Sequence, residues 1–513
     1  MPALDDRMPI LVGCGDITDT TTPALEARSP YDLIAQAGRV ALDDTGAPGI
    51  GAAIDTVAML RSFADTSWRF ATPLGSSSNP PRSVANRLDL NAARHIYTYA
   101  GGNMPQYLVN RFAEEIAAGE TRGVLLCGGE ALRTQHAIER NSPPGLWAES
   151  PRGEPELIGD SRRGWSDHEE KHNLRAAIAM YPLFENGIRG ARGRDIATHM
   201  QAIGRLMAGF ARVAAANPLA TRREGHDAQR LITVDEENRW IGFPYPRFLN
   251  SNAFIDQAAA VVMTSVKTAR ELGIPEHKWV FLHGCADGHD HWYASERVNF
   301  HSSPAIRLGS RLALEMAGRR IEDFTFLDLY SCFSSAVEIG CQEIGLAEDD
   351  PRGLTVTGGL PFFGGPGNNY VTHSISEMVR RVRSRPGSFG LVTANGNYVT
   401  KHSFGVYSTT PVQGRWQRQS PSVLQAELDA LPKAPFNETP SGAARIETYM
   451  VMHGRRGPEW GAVFGRLEST GERFLANPPA DPAVLWDLQN REGLGRPGTV
   501  SQVDGRNVFM PAG

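Results

Sequence analysis

Three short polar constellations carry the groups that could do chemistry. Tyr330-Ser331-Cys332-Phe333 closes the apolar run FTFLDL and sets a phenol beside a hydroxyl and a thiol. A phenol can donate or accept a proton once polarised, and a neighbouring serine can hydrogen-bond beside it. Cys332 is the weaker member, because a lone small thiol in an apolar turn is more often buried packing. Asn395 and His402 fall in TANGNYVTKHS, pairing an amide that can hold an oxyanion with an imidazole suited to acid/base work. The stretch GGLPFFGGPGNNY offers Gly364, Gly365, Asn368 and Asn369, followed by His373 at the start of a helical pattern. A third glycine turn, AGGN, contains Gly102 and Asn103 at the head of another helix, and Gly396 sits in the Asn395 loop. Glycines let backbone approach a ligand, and helix-start N–H groups bind an oxyanion or a thioester carbonyl.

Other chemistries lack their residues. GCGDIT has no third glycine, and GGPGNN has no acidic residue at the dinucleotide spacing. There is no GxxxxGK[ST] phosphate loop and no GxSxG nucleophile elbow. HGCADGHDHW gathers His283, His289 and His291 with Asp287 and Asp290, yet it fits no ligand template and reads as a polar loop at the sheet's carboxyl end. No metal site is expected. Lys401 could meet a phosphate, although a lone lysine is more often simply solvated.

The elements that must position these groups alternate along the chain. PILVGCG, AIDTVAMLRS, RHIYTYA and GVLLCGG read as strands. SPYDLIAQAGRVALDDTG and MPQYLVNRFAEEIAAG between them carry apolar residues at helical spacing, the first behind a serine cap. This order implies α/β crossovers and a largely parallel, covered sheet. The rhythm breaks over 131–250, which is rich in Arg, Glu, Pro and Gly and reads as an insertion folded over the sheet as a lid. It resumes at 251–272 to complete the half begun at 1–130, and 273–412 repeats the plan. The stretch 415–513 reads as a separate small β-rich domain, barrel-like, with one short helix.

With 513 residues, 52 Lys+Arg against 57 Asp+Glu, and 41% hydrophobic residues, the chain has an ordinary globular balance. No positive excess exists to release counterions, which argues against nucleic acid or an anionic membrane as partner. Five unclustered cysteines read as reduced thiols. With no apolar run of roughly 20 residues and no signal-like start, a cytoplasmic location is expected.

Taken together the motifs resemble the thiolase superfamily, and most nearly its thiolase-like type 1 group, related to SCP2-type thiolases and carrying an added C-terminal domain. AGE followed by VLLCGGEAL, DLYSCFSSAVEI, GGLPFFGGPGNN and TANGNY are similar, in order and spacing, to that superfamily's motifs. The resemblance implies a duplicated thiolase fold of two βαβαβ halves layered α/β/α/β/α, with a loop-domain insertion and an OB-like added domain. It also implies a coenzyme A thioester as substrate or ligand, no permanently bound cofactor, and a monomer or a dimer formed through RHIYTYA.

The departures bear on chemistry. The resemblance places the nucleophilic cysteine at Gly102, the histidine of the glycine-histidine-proline motif at Gly365, another histidine at Tyr330 and the acid/base cysteine at Ala394. Thiolysis needs a thiolate to carry the acyl group. Three alternatives stay open: acyl-CoA C–C bond chemistry of retro-aldol or decarboxylation type with Tyr330 as acid/base; direct acyl transfer with His402 as base; and a catalytically silent acyl-CoA binder or carrier.

Overall fold

The computed structural model describes residues 4–23, 26, 28–66 and 70–512. The first half runs β1 (Pro9–Thr18), α1 (Pro30–Asp44), β2 (Thr56–Met59), α2 (Pro80–Arg87), β3 (Arg94–Thr98), α3 (Met104–Ala118) and β4 (Gly123–Ala131). Then come α4 (Leu132–Ile138), β5 (Glu156–Ile158), α5 (Asp167–Lys171), α6 (Ala177–Ala191), α7 (Ile196–Ala216), α8 (Ala228–Ile232), β6 (Trp240–Phe243) and β7 (Tyr245–Pro246). β8 (Asp256–Ser265) and α9 (Val266–Glu271) close this half. The second half holds β9 (Val280–His289), α10 (Pro304–Ala317), β10 (Phe326–Asp328), α11 (Ser334–Ile344), α12 (Tyr370–Ser384), β11 (Phe389–Gly396) and β12 (Lys401–Ser408). The tail contains α13 (Pro421–Asp429), β13 (Gly442–Gly454), β14 (Gly457–Leu467), β15 (Arg473–Ala476), α14 (Pro482–Asn490), β16 (Pro497–Val503) and β17 (Arg506–Pro511).

Local chemistry starts these helices where the sequence signals them. Ser29 and Asp32 form a reciprocal capping box at α1 with Pro30 at the first position, and Gly119 ends α3 in the left-handed region at φ 81°. The main sheet has the strand order β10-β11-β12-β9-β1-β8-β4-β2-β3-β5. Its halves meet in a short antiparallel ladder, Ile10 opposite Phe281 and Leu11 opposite Val280. α3 and α12 lie between the halves and touch strands of both, while α1 covers the first half from outside and α10 the second. This is the five-layer α/β/α/β/α arrangement. The sheet is mixed, not largely parallel. β8 returns after the insertion to pair antiparallel with both β1 and β4, and β12 does the same between β9 and β11. The expected loop HGCADGHDHW is also different: β9 continues through His289 because β12 pairs with it as far as Lys401–His289.

The tail curls on itself. β15-β14-β13-β16-β17 form a sheet whose ends meet where Asn477, just past β15, bridges Val508 on β17. It is not separate from the insertion, since β6 pairs with β13 at Val451 and Met452. Asn186 on α6 also donates to the Tyr449 carbonyl (2.9 Å), and Arg189 pairs with Glu492 (2.6 Å). The insertion and tail thus form one body seated on the second half.

β5 settles the fate of β3, the strand the resemblance assigns to dimer contact. It pairs parallel with β3 from Ile96–Glu156 to Thr98–Ile158, and Tyr99 donates to the Ile158 carbonyl (2.8 Å). The chain covers its own edge with a three-residue strand, too short to template further pairing. Light scattering after size exclusion is expected to give a monomer, and Leu157→Pro, which disrupts β5, to shift the population toward dimer. A wild-type dimer would contradict this role for β5.

Candidate active site

The head of α3 is the centre of the site. Gly102 is buried, and a Cβ built on it would lie 2.4 Å from the Tyr330 hydroxyl and 2.5 Å from the Asn395 carbonyl oxygen. Real Cβ atoms essentially never come so close, so the phenol fills the space that a side chain at 102 would need. Gly101 is held by its N–H donating to Asn368 Oδ1 (2.8 Å). Gly396 packs against the same turn: its Cβ position lies 2.7 Å from Asn103 Oδ1 and 3.2 Å from the Gly102 nitrogen. The N–H groups of Gly102 and Asn103 precede α3 and find no acceptor among the described residues, leaving two donors at the positive end of a 15-residue helix.

Tyr330 follows β10 and is fixed through its backbone N–H, which donates to Thr393 Oγ1 on β11 (2.9 Å). Desolvation pushes its hydroxyl well above the usual phenol range, with Cys332 and Tyr370 adding to the rise. It is therefore a proton donor, not a phenolate base, near neutral pH. Cys332 is pushed up to about 12 by burial, so its thiol is inert. Ser331 is wholly buried and faces Gly359, away from Gly102.

Several expected residues turn out to be engaged elsewhere. Asn395 directs only its backbone carbonyl at Gly102; its side-chain amide donates to Tyr181 Oη (3.1 Å) and accepts from the Val399 N–H (3.1 Å). His402 sits opposite Asn395 on β12 and faces the start of α10, near Ser303 (3.5 Å) and Asp290 (3.7 Å). Burial raises the Asp290 pKa, yet Arg297, His402 and Ser303 outweigh it and hold the carboxyl down at about 2. The two residues expected as an acid/base pair are cross-strand neighbours, but their side chains point away from Gly102, His402 toward the start of α10 and Asn395 toward Tyr181. His373 is bound through Nδ1 to Asp16 (2.6 Å) in the core. Asn368 braces the loop, donating to the Arg61 carbonyl (2.7 Å), and Asn369 donates to the Gly128 carbonyl (2.8 Å). Gly364 and Gly365 carry no ligand-facing space: a Cβ would meet Gln257 Oε1 at 2.2 Å or Ser251 Oγ at 2.4 Å. These two glycines and the two asparagines shape the wall and do not reach into the site.

Sequence reasoning missed three features. Asn397, Tyr398 and Val399, between β11 and β12, all have positive φ (50°, 58° and 61°). Bulky and β-branched residues pay for that conformation in strain, of order 1–3 kcal/mol each. The turn is held by Asn395 and by Arg297, which donates to the Val399 carbonyl (2.9 Å). Tyr181 of the insertion stacks on Phe333 (4.6 Å) and meets Tyr398 edge-on, making an aromatic wall behind Tyr330's turn. One turn further along α6, Glu185, His199 and Glu338 form a buried cluster that holds α6, α7 and α11 together, with Tyr245 and Ser334 donating to Glu185 at 2.6 Å each. Interleaved single polar residues on amphipathic helices gave no signal of it.

The comparisons with known proteins agree with this architecture. A family model described as the thiolase-like protein type 1 additional C-terminal domain matches residues 423–506. The fold and the glycine-headed helix define a thiolase-fold protein. More particularly, a monomeric SCP2-thiolase-like protein type 1 from Mycobacterium smegmatis is 37% identical over 99% of this chain and 100% of its own, with a TM-score of 0.85. The chain belongs to that SCP2-thiolase-like type 1 family. The Ltp2-ChsH2(DUF35) aldolase shares the fold at 18% identity and a TM-score of 0.56, covering 78% of this chain and 98% of that one. A 3-ketoacyl-CoA thiolase of Salmonella newport (strain SL254) is 29% identical over 160 residues, 28% of this chain. The match spans only 35% of that relative's length.

Glu130, at the end of β4, supports the wall from behind. It accepts from the Phe63 N–H (2.8 Å) and abuts Gly367, and burial pushes its pKa up to about 8. A raised carboxyl favours folding below its unfolded pKa of 4.5, and the benefit is lost as pH rises to about 8. Thermal melts are expected to fall from pH 5 to 8.5 more steeply in the wild type than in Glu130→Gln. The relative change is about 1.4 kcal/mol per pH unit for one proton. Parallel pH curves would show that Glu130 is ionised in the fold.

Proposed function

We propose that the protein binds an acyl-CoA thioester at the head of α3 and acts on it without forming an acyl-enzyme. The observation that carries this reading is the Tyr330 hydroxyl standing in the side-chain space of Gly102, beside the two unspent N–H groups. A thioester oxygen received there would meet backbone donors and a phenol, the arrangement that stabilises an enolate or oxyanion. No thiol lies in reach to carry the acyl group, since Cys332 is neutral and turned toward Tyr181.

Carbon–carbon bond chemistry of retro-aldol type suits these groups best. Breaking the Cα–Cβ bond of a β-hydroxyacyl thioester leaves its electron pair on the thioester as an enolate; the β-hydroxyl proton passes to water, the carbonyl product departs, and the enolate carbon takes a proton from Tyr330, which recovers it from water. Tyr330, with its raised pKa, would hydrogen-bond the enolate oxygen and supply a proton. The fold shared with an aldolase and the CoA thioester substrate named for the thiolase relative support the class. Direct acyl transfer with His402 as base is disfavoured by its place on the outer face. A silent acyl-CoA binder is the second reading, favoured by the engagement of Asn368, Asn369 and Asn395 in structural hydrogen bonds.

Calorimetry with CoA and acetyl-CoA, followed by turnover assays on 3-hydroxybutyryl-CoA, separates them. Binding with cleavage that falls roughly 100-fold or more in Tyr330→Phe is expected for the lyase, in the range typical of a lost acid/base group. Binding without turnover would leave the carrier reading, and absence of binding would end both.

A further inference from the structure

Glu185 on α6, His199 on α7 and Glu338 on α11 take no part in the reading above. All three are fully buried, and one ligand atom of each lies within 4.8 Å of the other two. A buried carboxylate is costly unless it is paired or coordinates a metal, and here two are buried side by side. Among the described residues one guanidinium, that of Arg192, is bonded to them, and it is shared with Glu348 (2.6 Å). Three carboxylates thus draw on a single arginine.

The second observation is how the hydrogen bonds divide each carboxylate. Tyr245 and Ser334 both donate to Glu185 Oε2 (2.6 Å each), so Glu185 Oε1 faces only His199 Nε2 (2.7 Å). Arg192 donates to Glu338 Oε1 (2.7 Å), and Glu338 Oε2 is buried with no hydrogen-bond partner. Each acid is therefore gripped through one oxygen while the other is left to the cluster. Metal-ligating carboxylates are held in this way, their outer oxygens hydrogen-bonded and their inner ones turned to the ion.

The spacing suits a small dication. Zn²⁺ bonds nitrogen and oxygen at about 2.0–2.2 Å, which sets tetrahedral donors about 3.4 Å apart. That value lies between the 2.7 Å of Glu185 and His199 and the 4.8 Å limit of the group. An imidazole beside two carboxylates selects a first-row transition ion over Mg²⁺ or Ca²⁺, which take oxygen ligands. We infer that Glu185, His199 and Glu338 bind one first-row divalent cation, which bolts α6 and α7 of the insertion to α11, the helix that follows Tyr330's turn. The three ligands converge only in the folded chain, so binding the ion stabilises the fold. This site is independent of the acyl-CoA reading.

The test is the metal content of the full chain, expressed with added Zn²⁺, Mn²⁺ or Mg²⁺ and washed briefly with EDTA to strip surface ions. Native mass spectrometry should show one Zn²⁺ or Mn²⁺ per chain and no Mg²⁺. Glu338→Gln keeps the shape of the side chain and removes a ligand; His199→Gln removes another. Either should weaken Zn²⁺ binding about 10-fold or more, a loss seen even when only a ligand's supporting partner is removed. The wild type should also melt higher with Zn²⁺ than in EDTA, and the variants should show no such difference. If one variant does not fold, the other carries the comparison. A wild type free of metal after all three expressions would overturn the site and leave a proton shared between the two carboxylates in its place. An ion count unchanged by both substitutions would overturn it as well, because the ion would then be bound elsewhere.

Discussion

One volume at the head of α3 cannot hold both a side chain at position 102 and the phenol of Tyr330. Everything else about the site follows from that exclusion. The 2.4 Å separation between the phenol and a Cβ at Gly102 leaves no room for a side chain there and puts a phenol in its place. A cysteine placed at 102 alone would drive its Cβ into the Tyr330 phenol and into the Asn395 carbonyl. The glycine is a condition of the tyrosine.

The scaffold around this point is rigid on every side. α3 and α12 are enclosed between the two halves, Asn368 and Asn369 tie the glycine-rich loop to β2's exit and to β4, and Glu130 backs the same loop. The insertion supplies Tyr181 against Phe333 and is itself clamped by the tail's sheet. The tail therefore acts on the site at one remove, by fixing α6. The strained turn at 397–399 brings Gly396 and Lys401 to opposite sides of one hairpin end, where both face the glycines of α3.

Much of the fold was legible in the sequence, because capped amphipathic helices and buried strands declare themselves locally. Ser29 with Asp32, and Gly119, mark α1 and α3 at their observed ends. The strand directions were not legible. β8 reaches β4 only after more than a hundred intervening residues, and nothing local says that it returns antiparallel. His402 shows the limit for the site. Which face a strand residue takes depends on the parity of its register, and that parity is set by three left-handed residues that no propensity would place at Asn397, Tyr398 and Val399. Tyr330 stands out in the sequence because it ends an apolar strand, but that its hydroxyl lies against Gly102 is visible only in the fold.

Mass spectrometry after incubation with acetyl-CoA and with acetoacetyl-CoA tests the central claim most directly, that the thioester is held without a covalent step. Native spectra should show the ligand retained, and denaturing spectra of the same samples should return the unmodified chain mass. An acetyl adduct surviving denaturation, mapped to any cysteine or to Tyr330, would contradict the account.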